Sequence, residues 1–483
     1  IDHFQLHVPA RPGDASILSS ALQQMTDHIL GNITLTQAQR DEYTTTIIIN
    51  HQKNYINSKV EIDNYLAAFE ANRDPLFVNR VLNPALSSLP NEDRIAYFLM
   101  QDIFDNEFVA GNMANIAGMS FREGDIYPGP VSNSAPRVNN TLVAINATYR
   151  NDPGIQLVEG HRGVLRPTGY YAAPGELVTV TVPSNMVNQG VEIVAGAHIR
   201  ESNINGMQRF QRISKSIDIT STTTQIANPF GGALYFRIPQ GMNENLQTVT
   251  IDGAVKSPYF RMVSGQPQNL NEWITDLNND YVKWADIESD TMMFTLPTSM
   301  IGSVDMTAVM LKWNEMMDFI HMIAGRPSDP IRAEYVQVDC TGGVGSAGYP
   351  KRMHENTYDQ IPPSRYWSPL RILEGDFVET NTGFIFHELG HNMLYPIPTG
   401  HAETVVQLYS IPAYYVLTND IERSIRNAED ETFGRDGGAI AWMITPEFRN
   451  NSEMLEEHAK YQVRGGLKWI DIATLFSWED VGE

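Results

Sequence analysis

The sequence predicts a multidomain α+β protein with a helical N-terminal region, then a β-sandwich, then an α/β domain. The first supporting observation is length, since 483 residues exceed what one ordinary hydrophobic core organises. The second is a change of pattern, from helical apolar spacing in residues 1–115 to short β-branched runs in 161–265. The third is that residues 266–483 combine strand-like and helix-like segments, including one helix that carries an HExxH motif.

Residues 1–115 are predicted to be mainly helical. Segments 16–30, 58–72 and 91–108 each repeat apolar residues at helical spacing. Nothing in this region has the spacing of a catalytic set, so a structural or spacer role is favoured over substrate positioning. Residues 116–160 are rich in Gly, Pro, Asn and Ser, which indicates a linker or irregular segment.

Residues 161–265 are predicted to form an accessory β-sandwich. Runs 177–182, 191–194, 234–238 and 249–251 are rich in β-branched or aromatic residues, and turn residues separate them. Several short strands of this kind indicate a sandwich. The fold alone leaves two roles open, which are carbohydrate binding and bracing of the domain that follows.

An HExxH motif, from His387 to His391, lies in a predicted helix over 381–393. Residues four apart on a helix project from one face about one turn apart, so both histidines can reach one zinc ion. Glu388 is predicted to be the general base, because it lies beside the ligands without being one. The flanks are apolar, as expected of a helix in a core: Phe384, Ile385, Phe386, Leu389 and Met393.

A catalytic zinc site needs a third protein ligand. Pro396 and Pro398 end the first helix, and a second helix is predicted to begin near Gly400. Glu403 would lie in its first turn, where the helix dipole favours a carboxylate. Glu403 is therefore predicted to be the third ligand, with His401 as its rival. The longer pattern HExxHxxGxxH is excluded, because Leu and Ile occupy its glycine and third-histidine places.

Other segments of residues 266–483 are predicted to have structural roles and not catalytic ones. An amphipathic helix is predicted over 309–323, a strand over 333–338, and helices over 411–430 and 451–465. Residues 343–348 match GxGxxG, but Tyr, Pro and Lys follow instead of a helix, so a dinucleotide site is rejected. The glycines are expected to let this loop pass close to the cleft.

Composition limits the partners. The 57 acidic and 34 basic residues give a formal charge of −23, which repels phosphates and excludes nucleic acid as an expected partner. It also argues against docking to anionic membranes. Cys340 is the only cysteine, so no internal disulfide is expected, and both a cytosolic protein and a large secreted bacterial enzyme are compatible with that. No run approaches the roughly 20 apolar residues of a transmembrane helix.

The motif and its surroundings resemble one known family. HELGH at 387–391, with eleven residues between His391 and Glu403, resembles the HExGH…E pattern of the M60-like (enhancin-like) zinc peptidases, which are of the gluzincin type. Further segments look like landmarks of that family, and the resemblance covers about residues 160–420. These segments are 166–176, 228–232, 257–260 and 346–350.

This resemblance implies a zincin-type catalytic domain and a zinc-dependent peptidase. It implies a zinc ion at His387, His391 and Glu403, and an extended substrate that pairs with the edge of the strand 333–338. Many M60-like enzymes cleave mucin-like O-glycoproteins, so we expect a protein or glycoprotein substrate and a secreted or cell-surface location. Two alternatives stay open, namely an inactive glycan-binding or scaffold protein and a peptidase for unglycosylated protein.

The sequence leaves two features near the motif open, namely the donor for the oxyanion and the orientation of Glu403. Peptide hydrolysis requires a hydrogen-bond donor for the developing oxyanion, and there are four candidates. These are Tyr409, Tyr414, Tyr415 and His354. Related gluzincins often have Asp or Asn one turn after the ligand Glu, whereas this chain has Gln407 there.

Overall fold

The computed structural model describes residues 13–77, 88–150, 163–202, 208–327, 329–341, 345–354 and 383–393, together with Val406 and Tyr409. Within them the helices are α1 Ala15–Ile29, α2 Gln37–Asn50, α3 Lys59–Asn72, α4 Asn91–Asn106, α5 Met113–Ile116, α6 Glu123–Ile126, α7 Leu270–Asn279, α8 Met306–Ile323 and α9 Gly383–Met393. None of the described helices is both long and apolar enough to cross a membrane.

The described strands form three sheets. Their bounds are β1 Thr141–Thr148, β2 Val164–Ala172, β3 Val178–Thr181, β4 Glu192–Ala195, β5 Lys215–Asp218, β6 Thr223–Ile226, β7 Gly232–Ile238, β8 Asn243–Asp252, β9 Val255–Lys256, β10 Tyr259–Val263, β11 Gln266–Pro267, β12 Trp284–Glu288, β13 Met292–Pro297, β14 Glu334–Asp339, β15 Gly345–Ser346 and β16 Lys351–His354. The chain is thus a mixed α+β protein with helices at its N-terminal side, as its sequence predicts.

The N-terminal helices include one that the sequence pattern did not predict. Helices α1, α3 and α4 confirm the predicted segments 16–30, 58–72 and 91–108. Helix α2 contains a run of β-branched residues, whose helix propensity is low. It forms nevertheless, because Thr36 and Gln39 close a capping box at its start and because it packs against α1 and α4.

Strands β1 to β9 form two antiparallel sheets, in the orders β1-β8-β3-β6 and β5-β4-β7-β2-β9. Strand β1 lies inside 116–160, the segment predicted to be a linker or irregular. It pairs with β8, with Thr141 opposite Ile251 and Thr148 opposite Asn243. The turn-forming residues around the strand dominated the composition on which that prediction depended.

The third sheet is mixed and has the order β11-β10-β12-β13-β14-β16-β15. Phe294 and Thr295 are neighbours on β13 and therefore point to opposite faces. Phe294 packs on Trp313 of α8 at 5.2 Å between ring centroids, whereas Thr295 lies 3.2 Å from the hydroxyl of Tyr235 on β7. This sheet therefore lies between helix α8 and the sheet that contains β2 and β7.

Strand β14 confirms the predicted strand over 333–338, but its place in the sheet differs from the expectation. It was expected to border the cleft with a free edge. It is instead internal, because it pairs in parallel with β13 on one side and with β16 on the other. Among the described strands, the edge on this side is β15, which pairs antiparallel with β16. Strand order depends on long-range pairing, which local periodicity does not encode.

Candidate active site

Helix α9, Gly383–Met393, carries the HExxH motif. Ile385, Phe386 and Leu389 on it are fully buried, and Phe386 packs on Trp313 of α8 at 5.9 Å between ring centroids. Burial of these apolar side chains fixes the rotation of the helix about its axis. Positions 387 and 391 consequently lie one turn apart on another face, which is the arrangement that a two-histidine metal site requires.

The predicted site residues differ in how far the structure describes them. Glu388 is buried, at 8% exposure, and His391 is half-buried. The side chain of His387 lies outside the described residues, and so do Glu403 and its rival His401. In the part of the chain that the structure describes, no group of three His, Cys, Asp or Glu side chains could hold a metal ion. The proposed zinc ligands therefore stay a prediction.

Gly390 is the point at which α9 contacts the segment that follows Glu403 in sequence. A Cβ atom added at Gly390 would lie 2.6 Å from Cδ2 of Tyr409 and 3.0 Å from Cβ of Val406. Real Cβ atoms do not approach other atoms so closely, so only glycine allows this packing. Val406 and Tyr409 are both helical and buried. The glycine of the HExGH pattern thus has a steric reason in this chain.

Asn392, directly after His391, connects α9 to the loop that leaves β15. Its side-chain amide donates to the carbonyl oxygen of Gly348 at 3.0 Å and to Oε2 of Glu334 at 2.7 Å. The backbone N–H of Gly348 donates in return to Oδ1 of Asn392 at 3.1 Å. Gly348 has φ +128°, which favours glycine at this position. The glycine-rich loop is therefore fixed against the motif helix, as its predicted closeness to the cleft requires.

A buried lysine lies next to the motif. Lys351 of β16 is fully buried and donates from Nζ to the carbonyl oxygen of Ile385 at 2.8 Å. Burial lowers the pKa of Lys351 to about 7, although the nearby carboxylate of Glu388 favours its charged form. At the other end of α9, Arg326 donates from Nε and Nη2 to the carbonyl oxygen of Met393 at 3.3 and 3.0 Å. A cation at a helix C-terminus is favoured by the helix dipole.

Arg200, which follows β4 in sequence, contacts the same loop as Asn392. It donates from Nη1 to the carbonyl oxygen of Ala347 at 3.1 Å. Burial and then the neighbouring Arg352 lower the pKa of Arg200, whereas Asp339 and Glu388 favour its charged form. Glu388 therefore interacts electrostatically with two basic side chains from different segments of the chain, Arg200 and Lys351.

Sequence reasoning did not identify these contacts. Lysine and arginine are exposed by default, and no local pattern indicated that Lys351 would be buried and Arg200 half-buried near the motif helix. Asn392 had a weak signal, since it follows the motif directly. Of the four oxyanion candidates, only the Tyr409 side chain is described, and its ring packs beside Gly390. His354 belongs to β16, but its side chain lies outside the described residues, as do Tyr414, Tyr415 and Gln407.

Two groups of known proteins are similar in sequence or in fold. TRPM8 channel-associated factor 3 of Mus musculus is 26% identical over 266 residues, 52% of this chain and 27% of the relative. TRPM8 channel-associated factor 2 of Homo sapiens is 25% identical over 251 residues, 50% of this chain and 26% of the relative. The chain thus spans about a quarter of the length of these curated relatives.

Solved structures share the fold at low identity. The IMPa metallopeptidase in complex with T-antigen has a TM-score of 0.52 at 14% identity, over 89% of this chain and 53% of that one. A functionally unknown protein from Bacillus anthracis has a TM-score of 0.51 at 14% identity, over 71% of this chain and 66% of that one. These likenesses concern the fold alone.

Two family models match adjacent parts of the chain. The N-terminal domain of M60-like peptidases matches residues 133–252, and the model described as peptidase M60, enhancin and enhancin-like, matches 253–439. The boundary between them falls directly after the end of β8. Together the two models cover more than half of the 483 residues, in the order expected for this family. The chain therefore belongs to the M60-like peptidase family.

Proposed function

We propose that this protein is a zinc-dependent endopeptidase that cleaves mucin-like, O-glycosylated proteins. His387, His391 and Glu403 hold the zinc ion, and Glu388 is the general base. The observation that carries the proposal is helix α9, whose buried apolar side chains leave positions 387 and 391 on one face with Glu388 beside them. Membership of a peptidase family supports the same function.

The three proposed ligands are of the types that catalytic zinc centres use. Two imidazoles and one carboxylate are a donor set of catalytic zinc centres. Gly390 lets Val406 and Tyr409 pack closely on α9, and Glu403 precedes Val406 by three residues in sequence. When bound, zinc would supply Lewis-acid polarisation of the scissile carbonyl and would lower the pKa of a water molecule.

Glu388 has the surroundings of a working carboxylate. Its side chain is mostly shielded from solvent, and it interacts electrostatically with the basic side chains of Arg200 and Lys351. In the proposed reaction it accepts the proton of the attacking water and passes it to the leaving amine. Both steps require a carboxylate that does not bind the metal, and Glu388 is adjacent to a ligand position without sharing its face.

The substrate class is inferred from relatives and from charge. IMPa, which shares the fold, was solved in complex with T-antigen, and we extend glycan recognition to this chain as a proposal. A formal charge of −23 is unsuited to nucleic acid. A mucin-type substrate would be met outside the cell or at its surface, which is the location that we propose.

A second function has its own supporting observation. The curated relatives are named as channel-associated factors, and that name describes an association instead of a reaction. A chain of this kind could bind glycans or organise other proteins without hydrolysing them. A third candidate is a peptidase that acts on unglycosylated protein.

One digest separates the three functions. The wild-type chain, loaded with zinc and freed of excess metal, is incubated with an O-glycosylated mucin and with the same mucin after enzymatic removal of its glycans. The proposal predicts fragments from the glycosylated mucin only. Equal cleavage of both would favour the peptidase for unglycosylated protein. No cleavage of either, by a chain with one zinc per molecule, would favour the binding protein.

A further inference from the structure

A cleft that has no part in the proposed reaction lies between strand β1 and one end of the mixed sheet. Its volume is about 630 Å³, which is within the usual range for small-molecule sites. Its walls come from β1 and β2 on one side and from the ends of β10 and β12 on the other, and residues 329–333 complete it. None of the described residues that line it belongs to helix α9.

Basic and acidic side chains both line this cleft. Arg150, Arg166, Arg261 and Arg332 line it, against three carboxylates, Glu288, Asp290 and Asp329. Since Arg332 pairs with Glu334 behind the lining, the charges around the cleft balance, in a chain whose formal charge is −23. A cleft without the negative charge of the rest of the chain repels an anionic ligand less than the remaining surface does.

Two of the four arginines have no carboxylate partner among the described residues. Arg166 donates to the carbonyl oxygens of Asn146 at 3.2 Å and Thr148 at 2.9 Å, which hold the guanidinium in place without neutralising it. Arg261, half-buried on β10, makes no ion pair with any described carboxylate. The guanidinium of Arg166, which is positioned but not neutralised, is suited to bind an oxyanion through two parallel hydrogen bonds. Arg261, in register with Glu288 of β12, is a second candidate for the same contact.

The other two arginines have different roles. Arg332 is buried, pairs with Glu334 at 3.3 Å, and so forms part of the wall. Arg150 pairs with Asp329 at 2.9 Å, but both side chains are largely exposed, and exposed pairs contribute little stability. This pair can therefore open at small cost when a ligand with an acidic group enters.

The rest of the lining is suited to hydroxyl groups. Neutral polar side chains line the cleft, and the Tyr259 hydroxyl donates to Glu288, whose carboxylate can accept further hydrogen bonds. The neutral polar residues are Asn146, Thr148, Asn243, Ser264 and Ser289. A neighbouring cavity of about 240 Å³ shares Ala144, Tyr259 and Arg261 with the cleft, so the two are adjacent, and together they are called the groove. Two adjacent cavities favour a ligand of several linked units.

We propose that this groove binds an acidic oligosaccharide, with Arg261 and Arg166 holding its carboxylate or sulfate group and the neutral polar side chains holding its hydroxyls. None of its described lining residues belongs to the proposed peptidase centre, and binding there does not depend on hydrolysis. It would give the chain a second contact with a glycosylated partner.

The test is calorimetric titration of the full chain with three probes that differ in charge. The probes are 3′-sialyllactose, lactose 3′-sulfate and neutral lactose. We expect the two acidic sugars to bind at least about tenfold more tightly than lactose, because each offers the arginines a charge-assisted hydrogen bond. Their affinity should fall as salt is raised. Acidic sugars that bind no more tightly than lactose would overturn the proposal.

Variants separate this groove from any other glycan site. Arg261→Gln should weaken the acidic sugars by about tenfold and leave lactose unchanged. Lys283→Gln, which removes an equal charge from an exposed i,i+3 pair elsewhere, should bind like the wild type. Unfolding midpoints of both variants confirm that they fold. Wild-type affinity in Arg261→Gln would overturn the proposal, as would a pentaglutamate peptide that binds as tightly as the acidic sugars.

Discussion

The side chain of Asn392 and the backbone of Gly348 exchange two hydrogen bonds, of 3.0 and 3.1 Å, although 44 residues separate them in sequence. Two residues of paired β-strands can exchange two hydrogen bonds in the same way, but here one of the partners is a side chain. A third bond, to Glu334, uses the remaining donor of the amide. Asn392 is 2% exposed, so these bonds are shielded from water. The relationship fixes the distance between the motif helix and the loop after β15.

Asn392→Ala should destabilise the protein. It leaves the carbonyl and N–H groups of Gly348 and one oxygen of Glu334 buried without their partner, at a cost of about 3 kcal/mol in the free energy of unfolding. The measurement is the midpoint of urea unfolding. Asn271→Ala is the matched control, because that side chain is exposed on α7 and should leave the midpoint unchanged. A variant at 392 with the wild-type midpoint would show that the three bonds contribute nothing.

Gly390→Ala should also be destabilising, for a steric reason. The new Cβ atom would meet Tyr409 at 2.6 Å and Val406 at 3.0 Å, and overpacking of this kind costs about 1–3 kcal/mol. Since Glu403 is close to these two residues in sequence, zinc affinity should fall as well. The double variant Gly390→Ala with Val406→Ala returns space to the contact. It should recover part of the unfolding midpoint, and no recovery would mean that the cost arises elsewhere.

What the sequence predicts correctly is local. Helices α1, α3, α4 and α8 follow from apolar spacing, and the motif helix follows from its apolar flanks. Long-range contacts cannot be predicted from such local patterns. Arg200 reaches Ala347 across 147 residues, and Lys351 reaches Ile385 across 34. No short-range pattern encodes such a contact, because pairing of distant segments is decided by the whole core.

Asp286 predicts a dependence of stability on pH. Burial raises the pKa of Asp286 to about 7, although hydrogen bonds from Thr295 and Tyr235 favour its charged form. A carboxyl with a raised folded-state pKa stabilises the fold fully below its unfolded value of 3.8. That stability is lost as pH rises through about 7, by up to about 1.4 kcal/mol per pH unit. The wild type should therefore be less stable at pH 8 than at pH 5.

The variant that isolates this effect is Asp286→Asn, which is neutral at both pH values and keeps an acceptor oxygen. The difference between its unfolding midpoints at pH 5 and pH 8 should be smaller than that of the wild type. Part of the dependence will persist, because burial also raises the pKa of Asp102 and of Glu123 to about 7. Glu315→Gln, an exposed control on α8, should keep the full wild-type difference. An equal difference in Asp286→Asn would contradict the prediction.

The proposed metal ligands predict a zinc content. The wild type should bind one zinc ion per chain, measured by elemental analysis after removal of loosely bound metal. Glu403→Ala should lose most of that zinc, because a carboxylate ligand to the metal is removed. His401→Ala should keep it. The opposite result, with full occupancy in Glu403→Ala and none in His401→Ala, would make His401 the third ligand.

Glu388→Gln tests the mechanism without removing the metal. Glutamine keeps the size of the side chain and can still hydrogen-bond water, but it cannot accept a proton. Zinc content and the unfolding midpoint should therefore match those of the wild type, while cleavage of an O-glycosylated mucin should fall by a factor of about 10²–10⁴. A variant that loses zinc would make Glu388 a structural residue. One that keeps zinc and cleaves at the wild-type rate would remove Glu388 from the reaction and leave another residue to accept the proton.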